Sequence, residues 1–248
     1  MSSVPVLLLG FNRPALLRGL VDSLRPIRPE RVYLVVDGPR DGVPSDSETT
    51  AACRQVVGQI DWPCKLETQF RDQNRGCGLG VSEGISWFFE QEEAGIILED
   101  DVRVHPSFFP FCAELLERYR TESRVCAVSG CNFVPRPLID PSTSYRFTRI
   151  THVWGWATWR RAWAEYRHDM SHWRRDLPLA QLTQVCQHAP ESVLFWGLMF
   201  ELLARGLIDS IWDFRFIFAA FRTGGLTATA NTNLVTNLGI GAEATHTK

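Results

Sequence analysis

The chain has 248 residues, of which 45% are hydrophobic and 22% charged, with a formal net charge of −2. This describes a soluble globular protein with enough apolar material for one large domain or two small ones. The near-neutral balance leaves no electrostatic footprint for nucleic acid or an anionic membrane surface, so nucleic acid is not expected as a partner.

The seven cysteines, at positions 53, 64, 77, 112, 126, 131 and 186, show no C-x-x-C spacing. That argues against a zinc site and against a complete disulfide framework, and points to reduced thiols in a cytoplasmic protein. Only Cys126 and Cys131, flanking an expected strand end, are spaced for pairing in an oxidising compartment. The first ten residues have an apolar run without a basic leader, and Asn12-Arg13-Pro14 interrupts it, so it reads as a strand and not as a signal peptide. The longest apolar stretch, from Ser192 to Ile208, contains Glu201 and Arg205. No membrane span is expected, although peripheral association is compatible with this stretch.

In chain order, Val4–Leu9 reads as a strand, and Pro14 opens a helix running to about Leu24. A second strand covers Arg31–Val36 and ends at the turn Asp37-Gly38-Pro39. Thr49–Ile60 has helical spacing, and Lys65–Arg71 reads as a third strand. Glycines 76, 78 and 80 lead into a helix around Val81–Gln91. A strand at 95–98 follows, and then a helix capped by His105-Pro106-Ser107 and reaching Tyr119. This alternation implies βαβ units, a mostly parallel twisted sheet with helices on both faces, and a common rim for Asp37, Asp100 and Asp101. Past residue 130 prolines mark a loop and tryptophans accumulate. That half, 131–248, reads as an aromatic-rich elaboration on a nucleotide-binding half, 1–130, within a single domain.

The most informative stretch is Gly95-Ile96-Ile97-Leu98-Glu99-Asp100-Asp101, a buried strand with three carboxylates at its C-terminal end. Crowded carboxylates repel one another and lose solvation, so they persist where a cation sits among them. Mg²⁺ or Mn²⁺, holding substrate phosphates, suits all-oxygen ligands. A solvated acidic turn is the alternative. Phe11-Asn12-Arg13 precedes a helix N-terminus, where a guanidinium can clamp phosphate, unless Arg13 is an ordinary surface residue. Asp37 is placed either to accept from a base imide or ribose hydroxyl, or to close an Asx turn.

The polar, Gly-rich run from Arg71 through Asn74 and Gly76 to Gly80 suits close approach to a nucleotide, but it is neither G-x-G-x-x-G nor a Walker loop. Trp154, Trp156, Trp159 and Trp163 offer stacking faces for a sugar, although most of them must be core, leaving one or two for a ligand. Asp213 sits in the apolar run Ser210–Phe214, where burial raises a carboxyl pKa and favours a general base; a buried, hydrogen-bonded Asp is the equal alternative. His246, near the end of the sequence, is either an imidazole for the metal or part of a frayed tail.

Taken together, LLLGFNRPALL, VVDGPRD, NRGCGLGVSEGISWFF, GIILEDDVRVHPSFFPFC, VWGWATWRRAW, IWDFRF and ATHT resemble nucleotide-sugar glycosyltransferases of the GT-A fold. The likeness is to N-acetylglucosaminyltransferase I and related bacterial sugar transferases. It implies Asp101 as a direct metal ligand, His246 as a further one, and Glu99 and Asp100 near sugar and ribose. Arg13 would bind phosphate, Asp37 would bind uracil, and Asp213 would be the catalytic base, with Glu201 and Asp209 as fallbacks because Phe214 replaces a second acid.

The implied activity is metal-dependent, inverting transfer of a sugar from a UDP-sugar to the hydroxyl of a glycan, lipid-linked or other acceptor. Two alternatives stand beside it. One is a sugar-nucleotide nucleotidyltransferase, which would normally carry a Gly-rich basic loop after the first strand, where this chain has Gly10-Phe11-Asn12-Arg13. The other is a non-catalytic sugar- or nucleotide-binding module.

Overall fold

The computed structural model describes residues 3–239. Strand β1 (Val6–Gly10) is followed by helix α1 (Pro14–Leu24), β2 (Arg31–Val36), α2 (Pro44–Gln55), β3 (Lys65–Phe70), α3 (Gly76–Gln91) and β4 (Ala94–Glu99). Next come the short β5 (Val102–Val104), α4 (Phe108–Arg118), β6 (Val125–Ser129), β7 (Tyr145–Thr148) and β8 (Trp156–Trp159). Short helices α5 (Arg160–Trp163), α6 (Trp173–Asp176) and α7 (Leu179–Val185) precede α8 (Pro190–Ala204) and α9 (Asp213–Thr223), and strands β9 (Leu226–Ala230) and β10 (Val235–Asn237) complete the described chain.

The main sheet has the order β3-β2-β1-β4-β8-β6-β9-β7. The first four strands are mutually parallel, β8 runs antiparallel to both β4 and β6, and β6 and β9 are again parallel. The chain steps outward from β1 to β2 and β3, then returns to place β4 on the other side of β1. That reversal is a topological switch point, and the crevice at the carboxyl ends of β1, β2 and β4 is where such sheets bind ligands.

Alternation along the strands sends side chains to two opposite cores. Val6, Leu8, Val32, Leu34, Ile96 and Leu98 face one side, where Leu17, Leu20, Val21 and Leu24 of α1 and Cys112 and Leu115 of α4 cover them. Leu7, Leu9, Tyr33, Val35 and Ile97 face the other, beneath Ile85, Phe88 and Phe89 of α3 and the rings of Trp156, Trp163, Trp212 and Phe216. A third cluster joins α6, α7, α8 and α9 through Trp173, Leu182, Trp196, Phe200 and Phe221. Seven of the tryptophans, at 62, 156, 159, 163, 173, 196 and 212, are buried, which keeps most of this large apolar area from solvent. All seven cysteines are free, Cys126 and Cys131 included.

Two helix starts differ from the sequence expectation. Helix α2 begins at Pro44, five residues before Thr49, because a proline at the first helical position has the right φ and no donor to lose. Helix α3 begins at Gly76, so the glycine run expected to be a loop is its first turns. Gly78, Gly80 and Gly84 are tolerated there because the helix lies close on its neighbours: a Cβ at Gly78 would come 2.0 Å from the Asp209 carbonyl oxygen. Ser107 occupies the α4 N-cap without a side-chain capping bond. No helix among the described residues is long and apolar enough to cross a membrane.

The loop entering α9 is held by Arg215, only 1% exposed. Its guanidinium donates to the carbonyls of His168 (2.9 Å), Asp209 (3.1 Å) and Ile211 (3.3 Å) and to the Asp209 carboxylate (2.7 Å). Truncation would leave both a cavity and buried carbonyls without donors. Arg215→Ala is therefore expected to lower unfolding free energy by about 2–4 kcal/mol, read from urea denaturation at unchanged m-value.

Candidate active site

A cleft of ≈ 630 Å³ opens at the switch point. Its walls carry Phe11, Asn12, Arg13, Asp37, Arg71, Asn74, Gly76, Glu99, Asp100, Asp101 and Asp213, so eleven residues singled out from the sequence come together in one place. The twelfth, His246, lies outside the described residues. Trp154 and Trp212 are the two tryptophans that reach the cleft.

One end is built on the parallel pair β2 and β3. Asp37, just past β2, is 8% exposed. Its carboxylate accepts from the backbone N–H of Gly38 (3.0 Å) and of Arg75 (3.1 Å) and from Asn74 Nδ2 (3.1 Å). No Asx turn closes here, because the residue two places on is Pro39 and has no N–H to give; the carboxylate instead ties the β2 end to the start of α3. Asn74 Nδ2 also donates to the Gly38 carbonyl (3.0 Å), and Asn74 Oδ1 accepts from Gly76, whose φ of +74° suits glycine. Gly38 is required for a second reason: a Cβ there would fall 2.4 Å from the Gln73 backbone. Arg71 reaches the Gly80 carbonyl (2.8 Å) and lies 3.7 Å from Asp37.

Two residues of this wall were not anticipated. Asp46, at the start of α2 and 1% exposed, takes a forked pair of bonds from Arg40 (Nε 2.6 Å, Nη2 3.0 Å) and one from Asn12 Nδ2 (3.0 Å). The Arg40 hydrogen bonds, with help from Asn12, hold the Asp46 carboxyl down at about 2. Arg40 in turn covers the Phe11 ring at 5.4 Å and lines the cleft. The available signal was an arginine and an aspartate bracketing a turn that follows a strand, which is a weak one.

The other end lies where β1 and β4 finish side by side. Arg13 Nε donates to Asp100 Oδ2 (3.2 Å), and Nη2 donates to Asp100 Oδ1 and to Asp101 Oδ2 (3.0 Å). Asp100 is 2% exposed and turned onto Arg13. Arg103, in β5, donates to the Asp100 carbonyl (3.0 Å) and across to the Leu16 carbonyl of α1 (2.8 Å), fixing the turn. Antiparallel β5 and β10 bring the last described residues over this corner, where Leu238 donates its N–H to the Asp101 carbonyl at 2.8 Å.

Charge here is unbalanced. Glu99 is pushed up to about 8, first by lost solvation and then by the like charges of Asp101, Asp100 and Asp213. Asp100 rises to about 6 because burial outweighs Arg13. Asp213, at the N-terminus of α9, is also raised to about 6 by burial, opposed only by the N–H groups of its own residue and Phe214. Arg13 pairs with only two of these carboxyl groups, Asp100 and Asp101. Among the described residues no three His, Cys, Asp or Glu side chains converge at metal-binding spacing. The described residues thus offer no closed protein cage for a metal, and any ion there would have to draw most of its ligands from outside the protein.

The fallback bases stand elsewhere. Glu201 is bound by Trp173 Nε1 (3.2 Å), Arg174 (2.9 Å) and Arg205 (2.7 Å) on the outer side of α8, and Asp209 is paired with Arg215.

No family model matches the chain, and no curated protein matches it. Solved structures similar to it include the inositol-1-phosphate CTP transferase from T. maritima, 13% identical over 96% of this chain and 90% of that one, with a TM-score of 0.42. The 4-diphosphocytidyl-2C-methyl-D-erythritolsynthase from Anaerococcus prevotii DSM 20548 is 13% identical over 66% and 75%, with a TM-score of 0.37. A UDP-glucose pyrophosphorylase complexed with UDP-glucose is 9% identical over 65% and 78%, with a TM-score of 0.41. These names describe nucleotidyl transfer, and none is a glycosyltransferase. They do not bear out the expected resemblance to N-acetylglucosaminyltransferase I, nor with it the expected hexosyl- or N-acetylhexosaminyltransferase activity, its inversion and its place in glycan biosynthesis, and those expectations are corrected here. The physical reason is that strand-end carboxylates, an arginine and a strand-end Asp are what any α/β nucleotide cleft needs, whichever bond is then made. At such identities and scores the likeness is one of mixed α/β architecture, and the chemistry must be argued from the cleft.

The raised carboxyls make a pH prediction. A group whose folded pKa lies above its unfolded value stabilises the fold fully below the unfolded pKa and ceases to do so as pH rises through the folded one. For Glu99 that window runs from 4.5 to about 8. The metal-free wild type should lose thermal stability across it, and Glu99→Gln should lose distinctly less. The measurement is Tm against pH for both proteins, with a difference of several degrees expected near the top of the window at ~2–4 °C per kcal/mol.

Proposed function

We propose that the cleft binds a nucleoside triphosphate with a divalent cation, and that the chain is a nucleotidyltransferase acting on a phosphorylated sugar or similar small acceptor. The observation that carries this reading is the pairing of two unlike ends in one cleft: a fixed carboxylate–amide pocket at Asp37 and Asn74, and a guanidinium–carboxylate corner at Arg13, Asp100 and Asp101. The first suits the donors of a base or ribose, and the second suits a phosphate chain with its cation. Arg13 also stands at the N-terminus of α1, which favours anions. A Gly-rich loop after β1 is missing, and in this reading its anion-holding task falls to Arg13.

The reaction balances simply. An acceptor phosphate oxygen bonds to the nucleotide's α-phosphorus, the bond from that phosphorus to the bridging oxygen breaks, and pyrophosphate leaves. Arg13 holds phosphate oxygens as charge moves onto the leaving group. A cation held by Asp101, when bound, would neutralise the same charge. Asp213, raised to about 6, accepts the proton of an acceptor phosphate that arrives as the monoanion. Trp154 and Trp212 flank the approach and exclude water.

The test supplies each of the four common nucleoside triphosphates with a panel of hexose 1-phosphates and Mg²⁺ or Mn²⁺, and measures pyrophosphate release. Release that depends on both acceptor and metal is expected. Nucleotide binding with no turnover across the panel would instead make the chain a binding module. Asp101→Asn should abolish the metal-dependent part of nucleotide-induced thermal stabilisation. Asp213→Asn should cost about 10²-fold in turnover near pH 6, and less at higher pH, where a phosphate with second pKa ≈ 6 has already lost its proton.

A further inference from the structure

Helix α8 carries a feature that the cleft does not use. Its sequence, PESVLFWGLMFELLA, is apolar all round, and a helix of that kind is ordinarily buried on every side. One side is indeed covered, through Trp196, Phe200 and Leu203. The opposite side is open to solvent, with Leu194 74%, Phe195 46% and Leu198 51% exposed. Beside it, between α7 and α8, lies an apolar groove of ≈ 690 Å³ to which Leu179, 69% exposed, also contributes. Five of the eleven large apolar side chains exposed among the described residues, Leu179, Leu194, Phe195, Leu198 and Leu207, belong to this one region.

The open side has an internal symmetry. At 100° per residue, Glu191, Leu194, Leu198, Leu202 and Arg205 fall within one narrow stripe centred on Leu198. Each residue on one side of that centre has a counterpart at equal distance on the other: Leu194 with Leu202, and Glu191 with Arg205. We infer that α8 is the contact between two copies of this chain, the helices antiparallel about a twofold axis through Leu198. In that arrangement each Leu194 meets the partner's Leu202, and the two Leu198 side chains meet on the axis. Each Glu191, which makes no ion pair among the described residues, meets the partner's Arg205 at both ends. A single stripe that is complementary to itself under reversal is what an isologous interface requires. Arg205 already pairs with Glu201 at 2.7 Å within its own chain, so in the dimer it would lie between two carboxylates.

Sedimentation velocity on the intact chain tests this at micromolar concentrations. The wild type should run as a dimer. Leu198→Glu, which sets two carboxylates against each other on the axis, should weaken the dimer by at least about tenfold in Kd, as expected for a central anchor. Since Leu198 is half exposed, the fold should survive, and circular dichroism checks that it does. Charge reversal gives an independent reading: Glu191→Arg alone should dissociate the dimer, and Glu191→Arg combined with Arg205→Glu should restore it. A wild type that stays monomeric, or a dimer indifferent to Leu198→Glu and unaffected by the charge swap, overturns the inference. So does a monomer that co-sediments with phosphatidylglycerol vesicles through these same leucines, which would make the stripe a lipid contact.

Discussion

The contact on which the cleft depends is the one between Arg13 and the paired aspartates Asp100 and Asp101. It exists because β1 and β4 are adjacent and parallel, so that their carboxyl ends finish at the same height: Leu9 is paired with Glu99, and both chains turn immediately afterwards. Without a cation at that corner, Glu99, Asp100 and Asp101 would stand against one another at the edge of a hydrophobic sheet. Coulomb repulsion between like charges rises steeply as water is withdrawn. Arg13 relieves part of this, yet Glu99 and Asp100 still sit well above the ordinary carboxyl range. The corner is folded in a state short of positive charge.

The opposite end of the cleft is arranged by a different logic. There the carboxylates are held in place by donors of their own chain. Asp46 spends itself entirely on Arg40 and Asn12, and Asp37 ties together the end of β2 and the start of α3. Neither has a rotamer to lose, so in the proposed function a ligand on that wall would meet little ordering cost there. The glycines serve the same end, since Gly38 admits the Gln73 backbone and Gly80 leaves room for the Asp37 carboxylate at 3.0 Å from where a Cβ would be. One wall is therefore held in place by its own hydrogen bonds, and the other is left with an excess of carboxyl groups.

Much of this was legible in the sequence, for identifiable reasons. Short apolar runs such as Val6–Leu9 and Ile96–Leu98 are unambiguous as buried parallel strands, and strand-end carboxylates follow from the topology once the βαβ order is read. The start of α3 was not legible, because Gly76, Gly78 and Gly80 oppose helix by propensity, and only close packing against the Asp209 loop and Asp37 makes glycine the residue that fits. Arg40 and Asp46 were missed because their partnership crosses a turn whose shape no local pattern specifies. Chemistry was the hardest to read. The E-D-D run, Arg13 and Asp37 describe a place where a nucleotide can lie, and a resemblance built on them identifies a cleft more securely than it identifies the bond being made.

The division between the two walls bears on how a nucleotide phosphate would reach Arg13. In this structure the Arg13 guanidinium is committed: Nε and Nη2 are taken by Asp100, and Nη2 also by Asp101. A phosphate arriving alone would have to displace a carboxylate and leave it unpaired, close to Glu99 and Asp213. Cation and phosphate arriving together avoid this. In the proposed function a cation held by Asp101 would free Nη2 to turn to a phosphate oxygen, while Asp100, buried against Arg13, would keep the guanidinium in position. Binding of the two would then be coupled through a single guanidinium. By linkage each must strengthen the other's affinity by the same factor.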